Sequence, residues 1–164
     1  MINLTMMDID SLYRTARVIR FIRESNAIEN IHREPTKAEI KEYNRFLKLK
    51  KITVHQLKKF VKVIEPKVVI RDEEGLDVRI GGKLAPLGHA EIPYKLKAIL
   101  DKMELVGAYS THIAYEHLHP FTDGNGRSGR ILWLWQQKKI PELSFLHSWY
   151  YQTLQHSRNI ANGI

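Results

Sequence analysis

Apolar side chains recurring every three to four residues constrain this chain to be mostly helical, and the recurrence gives way at 68–90 and again at 119–125. From Asp8 to roughly Glu24, Leu12, Ala16, Ile19 and Ile22 fall at helical spacing with Arg14, Arg17, Arg20 and Arg23 among them, an amphipathic pattern. Thr36 with Glu39, and Thr53 with Gln56, form capping-box patterns ahead of two further stripes, Ile40, Tyr43, Phe46 and Leu47, then Leu57, Phe60 and Val61. They predict an antiparallel helix pair joined near 50–53. Periodicity resumes at Ile92, where Pro93 suits a first turn, and continues through Leu96, Ile99, Leu100 and Met103. Further helices are expected over about 106–118, 127–138 and 145–155. Within 68–90, short β-type runs (Val68-Val69-Ile70, then Val78 and Ile80) stand around Gly75 and the pair Gly81-Gly82, which predicts a hairpin or flap with little sheet. The expected fold class is all-α, one helical bundle over 1–164 with a small β-hairpin.

A length of 164 residues with 43% hydrophobic positions is enough for one sizeable core. The absence of Cys excludes disulfide frameworks, thiolate metal sites and a Cys nucleophile. No apolar run approaches the ~20 residues of a membrane span, and the first ten residues are too acidic for a secretory signal, so a cytoplasmic protein is expected. The net charge of +8 is concentrated in 33–62, where ten bases face three acids. That block is interleaved with a complete apolar stripe and reads as the solvated face of the helix pair. A non-catalytic nucleic-acid-binding module is the alternative of a different class, but no helix-turn-helix, zinc-finger or RNA-binding pattern supports it.

The second interruption reads His119-Pro120-Phe121-Thr122-Asp123-Gly124-Asn125-Gly126-Arg127-Ser128-Gly129-Arg130. Gly124 and Gly126 flank Asn125 at the entrance to a helix, so backbone N–H groups can converge on an anion with no Cβ in the way. Arg127 and Arg130, three apart in the first turns, can hold further phosphate oxygens in fork geometry. Asp123 is placed to hold Mg²⁺ or Mn²⁺ against those phosphates. A neutral His119 beside them can take a proton from an attacking hydroxyl.

These twelve residues match the motif of the Fic family, His-Pro-Phe-x-Asp/Glu-Gly-Asn-Gly-Arg-x-x-Arg, at every fixed position, with Tyr115-Glu116 and Ser128-Gly129 resembling its usual flanks. The resemblance implies an all-helical core with the motif between two central helices, and transfer of AMP from ATP to a hydroxyl side chain (Tyr, Thr or Ser) of a target protein, for which the chain itself is one candidate. It implies His119 as the base, Asp123 as the metal ligand, Gly124, Asn125 and Gly126 as the anion hole, and Arg127 and Arg130 on the outer phosphates. Upstream, Ser25-Asn26-Ala27-Ile28-Glu29-Asn30 resembles the family's inhibitory pattern, Ser/Thr-x-x-x-Glu-Gly/Asn, of the intramolecular class. An N-terminal helix plus this inhibitory segment would span 8–32. If Glu29 pairs with Arg130, the triphosphate cannot settle for in-line attack, and Ser25 and Asn30 complete the pattern. Val78-Arg79-Ile80-Gly81-Gly82 is similar to the flap that pairs with a target's backbone in this family.

The same residues serve the reverse reaction, in which Glu29 positions a water that removes AMP from a modified protein. The base pocket lies outside the motif, so another nucleotide or phosphate-containing donor stays open. His112, His117 and His119 do not share one helix face, and no His-Glu-x-x-His pattern is present, so a zinc site is not expected. Trp133, Trp135 and Trp149 read as core or interface. Exposed helix faces allow a homodimer, although no heptad compels one.

Overall fold

The computed structural model describes residues 6–80 and 82–138. Among them are six α-helices, α1 (Met6–Ile28), α2 (Lys37–Leu47), α3 (Val54–Ile64), α4 (Ile92–Asp101), α5 (Ala108–Leu118) and α6 (Asn125–Gln137), and two strands, β1 (Arg79–Ile80) and β2 (Lys83–Leu84). The fold is all-α with one small hairpin, as the periodicity implies. The helix expected over 145–155, with Trp149, lies outside the described residues. Two compact units are present, one containing Met1–Ile40 and the other Lys41–Lys138.

In the first unit, α1 buries Val18, Phe21, Ile22 and Ser25. Ala16, expected on the inward face, is exposed, and Leu12's side chain lies outside the described ones. The apolar stripe is set by Val18 and Phe21, which remove far more surface from water than an alanine methyl. The helix closes where Asn30 adopts φ 61, with its N–H on Ala27 O at 3.0 Å and Ile31 N–H on Asn26 O at 2.9 Å. Asn tolerates this left-handed conformation better than most residues. The capping box at Thr36 forms in both directions: the Glu39 N–H donates to Thr36 Oγ1 at 3.1 Å, and the Thr36 N–H to Glu39 Oε2 at 2.7 Å.

The second box forms by half. Thr53 Oγ1 accepts from the Gln56 N–H at 3.2 Å, but Gln56 Oε1 turns to Arg45 Nη1 at 2.6 Å, a charged donor from α2. Charge assistance makes that the stronger bond. Phe60 of α3 packs edge-on to Tyr43 and tilted against Phe46, with centroids 4.9 and 5.0 Å apart. Lys41, Lys48, Lys58, Lys59 and Lys62 are exposed, as a solvated face requires.

α6 is the centre of the second unit, with every residue from Arg127 to Leu134 buried. It packs most extensively on α5 and also on α3. Gly129 permits the α5 approach: a Cβ there would overlap Glu116 Oε1 and lie 3.1 Å from both His112 Cε1 and Tyr115 Cδ1. Ser128 Oγ donates to Gly124 O at 2.8 Å, so the Tyr115 hydroxyl, 2.6 Å away, is the donor to Ser128. Burial pushes the Tyr115 phenol well above its usual range, which keeps that proton in place. Trp133 is buried, while Trp135 is half-buried with its Nε1–H on Leu49 O at 2.8 Å.

The 68–90 segment is tied down at its start. Ile70 bridges antiparallel to Phe121, the Thr122 N–H donates to Val69 O at 3.0 Å, and the Arg71 N–H donates to Pro120 O at 2.9 Å. Beyond it, Arg79 pairs with Leu84 and Ile80 with Lys83 in the hairpin, around a turn in which Gly82 has φ 85. Gly81 lies outside the described residues.

Candidate active site

The sequence between α5 and α6 forces a sharp reversal. Pro120 has no N–H to continue α5, and His119 ends that helix in a left-handed conformation, φ 48 and ψ 60, with its N–H on Tyr115 O at 2.9 Å. The imidazole Nδ1 lies 3.2 Å from Glu116 O. A carbonyl only accepts, so Nδ1 carries the proton and Nε2 is the basic nitrogen. The Glu116 carboxylate stands 3.9 Å from the same Nδ1.

Asn125 shapes the loop from inside. Its Oδ1 accepts from the Phe121 N–H at 2.9 Å and its Nδ2 donates to Phe121 O at 2.7 Å, both buried. The side-chain amide is therefore engaged in loop structure through its oxygen and one of its two N–H groups, while the Asn125 backbone N–H lies at the helix start. Gly124 caps α6 with φ 72, and a Cβ there would come within 3.2 Å of Val61 Cγ1 and 3.3 Å of Glu65 Cγ. Both the backbone sign and the close approach of α3 require glycine at this position. The amides of Asn125, Gly126 and Arg127 open α6, where helix geometry supplies no carbonyl partner and the dipole is positive. Asp123 is exposed, with Oδ1 accepting from the Gly124 N–H at 2.5 Å. No group of three or more His, Asp or Glu residues able to hold a metal is found among the described residues, so a cation at Asp123 would draw its other ligands from substrate and water.

The two arginines differ in setting. Arg127 is 2% exposed, and its Nη2 donates to Glu65 Oε1, while its Nε and Nη1 are buried with no hydrogen-bond partner among the described residues. Arg130 is equally buried. Burial, with the Arg130 charge adding to it, holds the His112 imidazole down at about 4, against a partial offset from the Gly129 backbone.

Two residues at this site escape the motif. Glu65 is one, a carboxylate at the C-terminal end of α3, where the helix dipole disfavours it and a cation must answer it. That misplacement, directly before Pro66, is a signal in the sequence, but its partner lies 62 residues away. Arg71 is the other, a charge following the apolar run 68–70, fully buried and donating to the carbonyls of Leu118 and His119. Ser25, Glu29 and Asn30 belong to the first unit: Ser25 is buried in the last turn of α1, and Glu29 and Asn30 are exposed in the turn that follows. Val78 and Ile80 are half-buried, and Arg79 and Gly82 exposed, with Arg79 Nη1 on Gly82 O at 2.9 Å.

A helix start opened by glycine, shortly after a histidine that ends the preceding helix, suits the phosphate handling of phosphoryl- and nucleotidyl-group transferases. The chain belongs to the Fic/DOC family, whose model matches residues 24–136 and whose members are commonly transferases of this kind. Searches among curated proteins and among solved structures returned no match. Among the described residues, no helix is long and apolar enough to cross a membrane.

Proposed function

We propose that this chain is an autoinhibited protein adenylyltransferase, moving AMP from ATP to a Tyr, Thr or Ser hydroxyl of a target protein, itself included. The observation that carries the reading is the convergence, within twelve residues, of a basic imidazole nitrogen at His119 and the open start of α6. The orphaned Nε and Nη1 of Arg127 support it, because buried donors without acceptors are costly and a triphosphate oxygen would satisfy them.

In this reaction the target hydroxyl oxygen attacks the α-phosphorus while His119 Nε2 takes its proton. The bond from the α-phosphorus to the bridging oxygen breaks, and pyrophosphate leaves. The amides of Asn125, Gly126 and Arg127 receive the charge on the phosphates, the Gly124 N–H expected among them being engaged by Asp123 Oδ1, with Arg127 and Arg130 on the outer phosphates. Mg²⁺ or Mn²⁺, when bound, supplies charge neutralisation for the leaving pyrophosphate, and the exposed Asp123 carboxylate is the residue that would hold it. By the resemblance of Ser25 to Asn30 to the family's inhibitory pattern, Glu29 is the carboxylate assigned to withhold Arg130 from the γ-phosphate at rest.

Labelled ATP with Mg²⁺ tests the mechanism. The parent should label itself or partners weakly, Glu29→Gly strongly, and the Glu29→Gly, His119→Ala double variant not at all. Labelling that survives loss of His119 refutes the mechanism, and equal labelling of parent and Glu29→Gly refutes the inhibition.

A further inference from the structure

Arg71 is the largest fully buried charged side chain outside the motif, and all its hydrogen-bond acceptors are backbone carbonyls. Its Nε donates to His119 O at 2.7 Å and its Nη2 to Leu118 O at 2.9 Å. Its Nη1 donates to Pro86 O at 2.7 Å and to Leu76 O at 3.2 Å. Its own N–H and C=O are used as well, toward Pro120 O and the His89 N–H. Burying a guanidinium is costly unless its donors are met, and an aliphatic residue would extend the 68–70 run at far lower desolvation cost. The four acceptors come from three separate places: the end of α5, the segment entering the hairpin and the segment leaving it.

Each contact has a mechanical consequence. The Leu118 and His119 carbonyls belong to the last turn of α5, where helix geometry supplies no donor and the dipole is negative, so a cation meets both needs. His119 is held left-handed, a conformation unfavourable for a residue that carries a Cβ. Rotation of its ψ would swing the carbonyl off Arg71 Nε. The Nδ1 contact to Glu116 O, which defines Nε2 as the base, depends on that same conformation. At the other end, Leu76 precedes β1 and Pro86 follows β2, so one planar group holds both feet of the hairpin.

The geometry points to Arg71 as a positioning residue that locks the left-handed His119 and clamps both feet of the Arg79–Leu84 hairpin, keeping base and acceptor-docking edge in one register. This inference rests on the transferase reading above.

The full chain carrying Glu29→Gly, with labelled ATP and itself as acceptor, tests it against Arg71→Lys and Arg71→Met. Lysine keeps the charge but reaches fewer of the four carbonyls. Arg71→Lys should lower the labelling rate at saturating ATP on the order of 100-fold, the scale of a small misplacement of reacting groups, with the KM for ATP within about twofold. Arg71→Met should lose more. The His119 ring-nitrogen shifts should move from the single Nδ1–H tautomer to a mixture in both variants. An unchanged rate in Arg71→Lys, or a KM that rises in step with the loss, overturns the proposal. Should Arg71→Met fail to fold, Arg71→Lys decides. Should the Glu29→Gly parent transfer nothing, the transferase reading is what fails, and the His119 nitrogen shifts decide on Arg71 alone: one unchanged tautomer overturns it.

Discussion

Gly129→Ala asks whether α5 and α6 really touch at the centre of the second unit. In an exposed helix this change stabilises by about 1 kcal/mol, because alanine loses less backbone entropy. Here the new Cβ would overlap Glu116 Oε1 and press to 3.1 Å against both the His112 and Tyr115 rings. The Glu116 oxygen is the end of a flexible side chain and can shift, but the two rings are buried and must yield by a few tenths of an ångström. Overpacking of this kind costs about 1–3 kcal/mol. Set against the propensity gain, the upper part of that range leaves a net loss of about 1–2 kcal/mol, or roughly 2–8 °C in Tm for a chain of this size. Urea titration and thermal melts measure it directly. Gly107→Ala, at the N-cap of α5 with no atom within 4 Å of its Cβ position, introduces no overlap, so its cost measures only the loss of a glycine cap. Adding Glu116→Ala to Gly129→Ala removes the worst overlap and leaves the ring contacts, so a double-mutant cycle separates the two contributions. A Gly129→Ala chain at least as stable as the parent would refute the close approach, and with it the reason given for glycine between the two arginines.

Two further predictions concern stability. His112 is held neutral at about 4 in the folded chain, against 6.5 unfolded, so the unfolded state takes up a proton that the folded state refuses. That stability is fully present above about pH 6.5 and falls as pH drops toward about 4, by about 3 kcal/mol across the window; denaturation from pH 7.5 to 4.5 should show a slope that His112→Gln flattens, and an equal slope in both chains refutes it. Thr36→Ala removes the acceptor of the Glu39 N–H and should cost about 1 kcal/mol, read from the same titration at neutral pH.

Local chemistry was legible in the sequence wherever its partners lie close along the chain. The Thr36 and Glu39 box, three residues apart, forms as its pattern implies, and the turn before α6 follows from Gly124. The helix nevertheless starts at Asn125, two residues ahead of the expected Arg127, because Gly124 supplies the left-handed cap at once. Half of the Thr53 box is lost to Arg45, a competitor that enters only once α2 and α3 pack. Ala16 is exposed because periodicity fixes the spacing of a stripe but bulk fixes its phase. Arg71 and Glu65 could not be assigned beforehand, since their partners at 118–119 and 127 are defined by tertiary approach. The motif names Arg127 as a phosphate ligand, yet says nothing of the carboxylate that already holds one of its nitrogens.

The hairpin at 79–84 shares little with the core. Its strands are two residues each, Lys83 and Leu84 face water, and no atom lies within 4 Å of where Gly82 would carry a Cβ. It is anchored by carbonyl contacts to Arg71 at its feet, and of its four strand residues only Ile80 is partly buried, so its exposed residues can be exchanged with little effect on folding. Under the proposal that this hairpin docks the acceptor, acceptor preference and thermodynamic stability are carried by separate parts of the chain, and substitutions that retune the first leave the second nearly untouched. A scaffold arranged this way can diverge in what it recognises while the buried α6 stays fixed.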